Sequence, residues 1–116
     1  MSVTDCLFCS IASGEMPADV VHESETLIAF RDISPQAPLH LLIVPKQHIT
    51  SLDTATAPHQ SLLGDMVLLA ADLARTESIA GHGYRTVINT GVGGGQSVDH
   101  LHLHLLGGRQ MEWPPG

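Results

Sequence analysis

Residues 99–106 read DHLHLHLL, with polar and apolar side chains alternating strictly from His100 to Leu105. A period of two is the pattern of a β-strand with one face against a core. On that strand His100, His102 and His104 share one face, and Leu101, Leu103 and Leu105 share the other. The chain therefore needs a sheet for this strand to join and an apolar layer to cover its leucines. A long helix supplies the layer: Leu62, Leu63, Met66, Val67, Leu69, Ala70, Leu73 and Ala74 form a stripe at helical spacing. Pro58 suits its first turn with Thr56 as cap, and Gly81 and Gly83 end it.

The other elements follow from shorter signals. DCLFCSIASGE predicts a short helix stopped at Gly14. ADVVHESETLIAFRDI predicts two strands around a tight turn near Glu23–Glu25. HLLIV is a continuous apolar run and predicts a strand buried on both faces, while YRTVIN predicts one more strand. DISPQAP is a loop fixed by Pro35 and Pro38. Helix, strands, helix, strands is the order of an α+β domain with a mostly antiparallel sheet. The 116 residues contain no repeat or linker, so residues 1–116 read as one domain.

Charge narrows the partners. The net charge is −7, and the five basic residues, Arg31, Lys46, Arg75, Arg85 and Arg109, are scattered. Nucleic-acid surfaces need clustered lysine and arginine, so no nucleic-acid partner is expected. A bound phosphate must be held by backbone N–H groups, hydroxyls and histidines. Apolar runs are far too short to cross a membrane, and MSVTDCLF lacks the basic and apolar regions of a secretory signal. The expected address is cytoplasmic.

Three imidazoles in a row are a poor choice for mere solubility. They could bind a metal, or one could be a nucleophile with the others as helpers, since neutral histidine attacks phosphorus. The loop before them, GVGGGQS, allows backbone N–H groups to approach an anion and adds the Ser97 hydroxyl. A phosphate cradle beside a histidine row favours phosphoryl or nucleotidyl chemistry. Cys6 and Cys9 form C-x-x-C, which has three readings: a redox pair, two unrelated buried thiols, or half of a zinc site.

HLHLHLL, with GGQS, LGGRQMEWPPG, DISPQAP and VPKQHI, resembles the histidine triad (HIT) superfamily, and within it the Hint branch of purine nucleoside phosphoramidases. The resemblance spans nearly the whole chain and is least distinctive over residues 52–82. It implies a five-stranded, mostly antiparallel sheet with one long and one short helix, pairing in a homodimer into a continuous ten-stranded sheet. It implies cleavage of P–N bonds in nucleoside 5′-phosphoramidates through a nucleotidyl-histidine intermediate. His102 matches the nucleophile, His104 and Ser97 match phosphate contacts, and His40 matches a supporting histidine on a neighbouring strand. Asp32 matches the acceptor of the ribose hydroxyls, and Asn89, Gly95 and Gln96 match ribose- or phosphate-side contacts. Phe8, Ile11, Phe30, Ile33 and Leu42 match an apolar slot for the purine. Bacterial-type members imply that His48 and His100 join Cys6 and Cys9 around a structural zinc; the closer animal Hint members lack the cysteine pair. Two other functions stand beside this one: hydrolysis of dinucleoside polyphosphates by the same nucleophile, and non-catalytic nucleotide binding.

Overall fold

The computed structural model of the protein describes residues 5–116. The chain runs α1 (Leu7–Ser13), β1 (Val20–Glu23), β2 (Leu27–Arg31), β3 (Leu39–Pro45), α2 (Gln60–Thr76), β4 (Tyr84–Val87) and β5 (Leu103–Gly107). The strands form one antiparallel sheet in the order β1-β2-β3-β5-β4. This is the predicted α+β architecture.

Every residue of β3 is buried, because the sheet is covered on both sides. Leu39, Leu41 and Ile43 pack with Leu103 and Leu105 beneath Met66, Ala70, Leu73 and Ala74 of α2. Leu42 and Val44 face the opposite way and pack with Ile28, Phe30 and the α1 residues Phe8 and Ile11. Register sets Leu41 beside Leu105 and Leu42 beside His104. The leucines of the alternating segment thus go to the α2 layer, and the histidines go to the α1 layer.

Four expectations need correction. The alternating segment was expected to be one strand, but the ladder begins only at Leu103. Pairing with β3 stops at Ile43↔Leu103, although β3 itself continues to Pro45, and beyond that point specific bonds replace the ladder. Leu101 N–H donates to the Ile49 carbonyl at 2.6 Å, and His100 Nε2–H donates to the Pro45 carbonyl at 2.7 Å. The alternation of faces survives: Leu101 joins the α2 core while His100 and His102 pack edge-on to Phe8. The long helix ends at Thr76, not at Gly81. Ser78 takes the left-handed position at φ 63°, with Ile79 N–H donating to Ala74 and Ser78 N–H to Arg75. That bond pair closes a helix whether or not glycine is present. Val67, counted in the apolar stripe, is half exposed, as is its neighbour Leu68. YRTVIN is likewise a strand only to Val87, which leaves Asn89 beyond the sheet. Among the described residues no helix is long and apolar enough to cross a membrane.

Candidate active site

Hydrogen bonds fix which nitrogen of each buried imidazole carries the proton. His102 Nδ1 lies 2.7 Å from the His100 carbonyl. A carbonyl only accepts, so Nδ1 holds the hydrogen and the Nε2 lone pair is left for the cavity that this ring lines. His40 shows the opposite arrangement. The Gln36 backbone N–H donates to its Nδ1 at 3.0 Å, so its proton sits on Nε2. That Nε2–H donates to His104 Nδ1 at 2.9 Å. His104 must then carry its own hydrogen on Nε2, the one buried side-chain polar atom without a partner among the described residues. A lone pair on His102 and an N–H on His104 are thus presented side by side, with ring centroids 5.0 Å apart.

Both rings line a cavity of about 570 Å³. Of the predicted residues, Phe8, Ile11, Phe30, Asp32, Ile33, Leu42 and Ser97 line it as well. The histidines and Ser97 form a polar end, and Phe8, Ile11, Phe30 and Leu42 form apolar walls. Asp32 Oδ1 accepts the Ser34 N–H at 2.8 Å, and Oδ2 stands 3.5 Å from His40 Nε2. The acid therefore anchors the turn and keeps acceptor capacity.

Four of the residues predicted around the nucleotide do not line the cavity. His40 stands behind His104. Asn89 lies past the end of β4. Gly95 shapes the glycine loop through its N–H bond to Val92. Gln96 braces that loop: its Oε1 accepts from Gly91 N–H at 2.9 Å, and its Nε2 donates to Thr50 and Val98 carbonyls at 2.8 and 3.0 Å. Asp19 and Arg31 line the cavity mouth and were not anticipated. They pair at 3.5 Å, and Arg31 also reaches Glu77 at 2.8 Å. Arg31 precedes Asp32 in FRDI, but a lone arginine at a strand end gives no sequence signal. The Gln36 backbone donor had none either.

Burial holds His104 well below the ordinary histidine value, to about 4, with the neighbouring His102 and His40 acting in the same direction and Asp32 opposing them. Burial also lowers His40, against the pull of Asp32. Between the unfolded value near 6.5 and about 4, the unfolded chain takes up a proton at His104 that the folded chain refuses. Folding stability is therefore expected to fall as pH drops through this window. Denaturant melts from pH 7 to 4 check it; His104→Gln should flatten the slope, and an unchanged slope contradicts the assignment.

Behind His102 lies a second cluster. Cys6, Cys9, His48 and His100 bring donor atoms within 4.8 Å of one another. Cys6 Sγ is 3.3 Å from His100 Nδ1, Cys9 Sγ is 3.3 Å from His48 Nδ1, and Cys9 Sγ is 3.5 Å from His100 Nδ1. Tetrahedral zinc with ordinary bond lengths sets sulfur–nitrogen separations of about 3.5 Å, so the spacing fits. The donor chemistry fits too. His100 gives its Nε2–H to Pro45, which frees Nδ1 toward the thiols, and Cys9 N–H points at Cys6 Sγ at 3.4 Å. Both cysteines are free thiols. Burial, then the hydrogen bond and charge of Cys6, push the Cys9 thiol up to about 11. Asp32, His40 and His104 also converge, but His40 is already bound on both nitrogens, so no lone pair there is free for an ion.

Comparison with known proteins agrees with the geometry. The family described as "Scavenger mRNA decapping enzyme C-term binding" matches residues 5–113. The chain is 54% identical over 112 residues to an uncharacterized HIT-like protein of Synechococcus elongatus, covering 97% of each. It is 54% identical to the crystal structure of a HIT family hydrolase from Legionella pneumophila, with TM-score 0.95 over 97% of this chain and 100% of that one. A histidine triad nucleotide-binding protein from Candida albicans superposes with TM-score 0.80 at 30% identity, over 95% of this chain and 83% of that one. With the triad, its sheet and its cavity in place, the chain belongs to this family and to the histidine triad superfamily.

Proposed function

We propose that the protein hydrolyses the P–N bond of purine nucleoside 5′-phosphoramidates, as in the Hint branch. One observation carries the reading: a free His102 Nε2 lone pair and an unpartnered His104 Nε2–H sit together at the polar end of one cavity. Nε2 of His102 attacks the phosphorus and forms a P–N bond to the ring while the bond to the leaving nitrogen breaks. The amine departs with a proton drawn from solvent water through the Ser97 hydroxyl, which regains its own proton in the same relay. Water then cleaves the nucleotidyl-histidine, releasing the nucleoside monophosphate and restoring the imidazole. Negative charge spreading over the phosphate meets the His104 N–H and the Ser97 hydroxyl, while Gly95 and Gln96, whose own N–H groups bond Val92 and Gly91, hold the loop that carries Ser97. Asp32 accepts the ribose hydroxyls, with Asn89 contributing from the end of β4. Phe8, Ile11, Phe30, Ile33 and Leu42 enclose the base.

Cys6, Cys9, His48 and His100 hold a structural zinc whose role is to cross-link α1 to the strand segment before β5. Two copies pair through the β4 edge and the α2 face carrying Val67 and Leu68, giving a continuous ten-stranded sheet. Free thiols at the zinc site suit a reducing, cytoplasmic setting. The names of two solved relatives, a hydrolase and a nucleotide-binding protein, support the reading.

Adenosine 5′-phosphoramidate and diadenosine tetraphosphate, compared at equal concentration, test the reaction class. Faster release from the phosphoramidate supports it; faster polyphosphate cleavage assigns the other hydrolase, and turnover of neither leaves a binding protein. The glycine loop offers a separate test. A Cβ on Gly94 would collide with the Thr90 carbonyl oxygen, whereas one on Gly93 meets open space. Gly94→Ala should lower kcat/KM by about 10² by displacing Ser97, and Gly93→Ala should cost far less. Equal effects in steady-state assays would show that the loop's shape is not what matters.

A further inference from the structure

The metal cluster and the nucleotide cavity share parts. Phe8 lies between the two cysteines on α1, is buried, and lines the cavity. Its ring meets His102 edge-on at 5.0 Å and His100 at 6.0 Å. One turn further along α1, Ile11 lines the same cavity. From the other side, His100 offers its ring to the thiols and its carbonyl to His102 Nδ1–H at 2.7 Å. That carbonyl bond decides which His102 nitrogen faces the cavity. The same segment is tied to the His48 loop by the Leu101 N–H bond to Ile49. α1 itself has seven residues, too few to hold a helix alone, so its place depends on what anchors it. Its anchors are Phe8, Ile11 and the thiols.

We propose that ion occupancy of the Cys6–Cys9–His48–His100 cluster and nucleotide occupancy of the cavity are thermodynamically coupled. The path runs through Phe8 on one side and the His100 carbonyl on the other. The inference rests on the zinc and nucleotide readings above. An ion that locks α1 and His100 fixes the Phe8 wall and the His102 ring before nucleotide arrives, so less ordering remains to be done on binding. His100 is then a positioning residue for the nucleophile. Coupling between binding sites is reciprocal, so nucleotide must tighten the hold on the ion by the factor with which the ion tightens the hold on nucleotide.

The test uses purified, zinc-loaded protein. Calorimetric titration with AMP before and after zinc removal gives one side of the cycle. Competition for zinc by a chromophoric chelator, with and without saturating AMP, gives the other. The expected result is about a tenfold weaker AMP affinity without zinc, and zinc held about tenfold more tightly with AMP, within the usual range of such couplings. Phe8→Leu keeps the four ligands and an apolar wall; coupling should fall to about twofold or less with zinc stoichiometry unchanged. If the zinc-free protein unfolds, the chelator competition, run on loaded protein, still decides. Zinc affinity indifferent to AMP overturns the inference alone. Full coupling in Phe8→Leu removes Phe8 from the path. Protein purified without zinc overturns the inference together with the metal assignment, and loaded protein that fails to bind AMP overturns it together with the nucleotide reading.

Discussion

Replacing His102 with alanine should leave a folded protein whose turnover of adenosine 5′-phosphoramidate is lower by about 10⁴-fold or more, the scale seen when a covalent nucleophile is removed. The fold should survive because the ring sits at the cavity wall and its one hydrogen bond runs to the next-but-one carbonyl. Truncation removes an edge contact with Phe8 but opens a space already continuous with the cavity. His104→Ala acts differently. It removes the N–H aimed at the phosphate, an effect of about 10²–10³ in kcat for one preorganised donor, and leaves the nucleophile in place. Single-turnover kinetics separate the two: His102→Ala shows no first-step product, and His104→Ala shows the first step slowed. Similar modest losses in both variants would mean that neither ring bonds to phosphorus.

Loss of the cysteine cluster should have the largest effect on stability. Cys6 is 1% exposed and is both the cap of α1 and a donor to the cluster. Cys6→Ser is expected to abolish tight zinc binding and to lower the thermal midpoint by more than about 10 °C. Structural zinc sites carry a large share of folding free energy, and each kcal/mol moves the midpoint of a domain this size by several degrees. Metal analysis of wild type and variant, with thermal melts of both, checks it. A variant that melts with the wild type would show that packing of Phe8 and Ile11 holds α1 without an ion.

The fold was legible where one physical signal dominated. The apolar run of β3 had to be buried on both faces, and it is. The period-two row separated leucines from histidines although only its second half enters the ladder: side-chain alternation follows extended backbone, whereas ladder pairing needs the partner's backbone groups, and before Leu103 the segment bonds Ile49 and Pro45 instead. The helix end was misplaced because a glycine signal outweighed Ser78, whose left-handed turn is set by the closing bonds around it. Val67 shows the limit of a stripe drawn from residue type, since hydrophobicity says nothing of which flank meets water.

The site divides in the same way. His102, His104 and Ser97 stand out as a motif next to a glycine loop. Cys6 and Cys9 advertise a metal or redox pair by spacing alone, but His48 and His100 complete the set through contacts across 39 and 94 residues, legible only through the family resemblance. The protonation pattern was out of reach. It depends on carbonyls and on the Gln36 backbone N–H, groups that every residue carries and that no sequence distinguishes.

The proposed reaction requires one imidazole nitrogen, on His102, to carry the nucleotide between two displacements. Rapid mixing of enzyme with adenosine 5′-phosphoramidate, acid-free quenching and peptide mass spectrometry measure this directly. The expected result is one adenylyl group per chain on the peptide containing His102, absent from His102→Ala. Turnover without any adduct, or an adenylyl group mapped to His104 or Ser97, would contradict it.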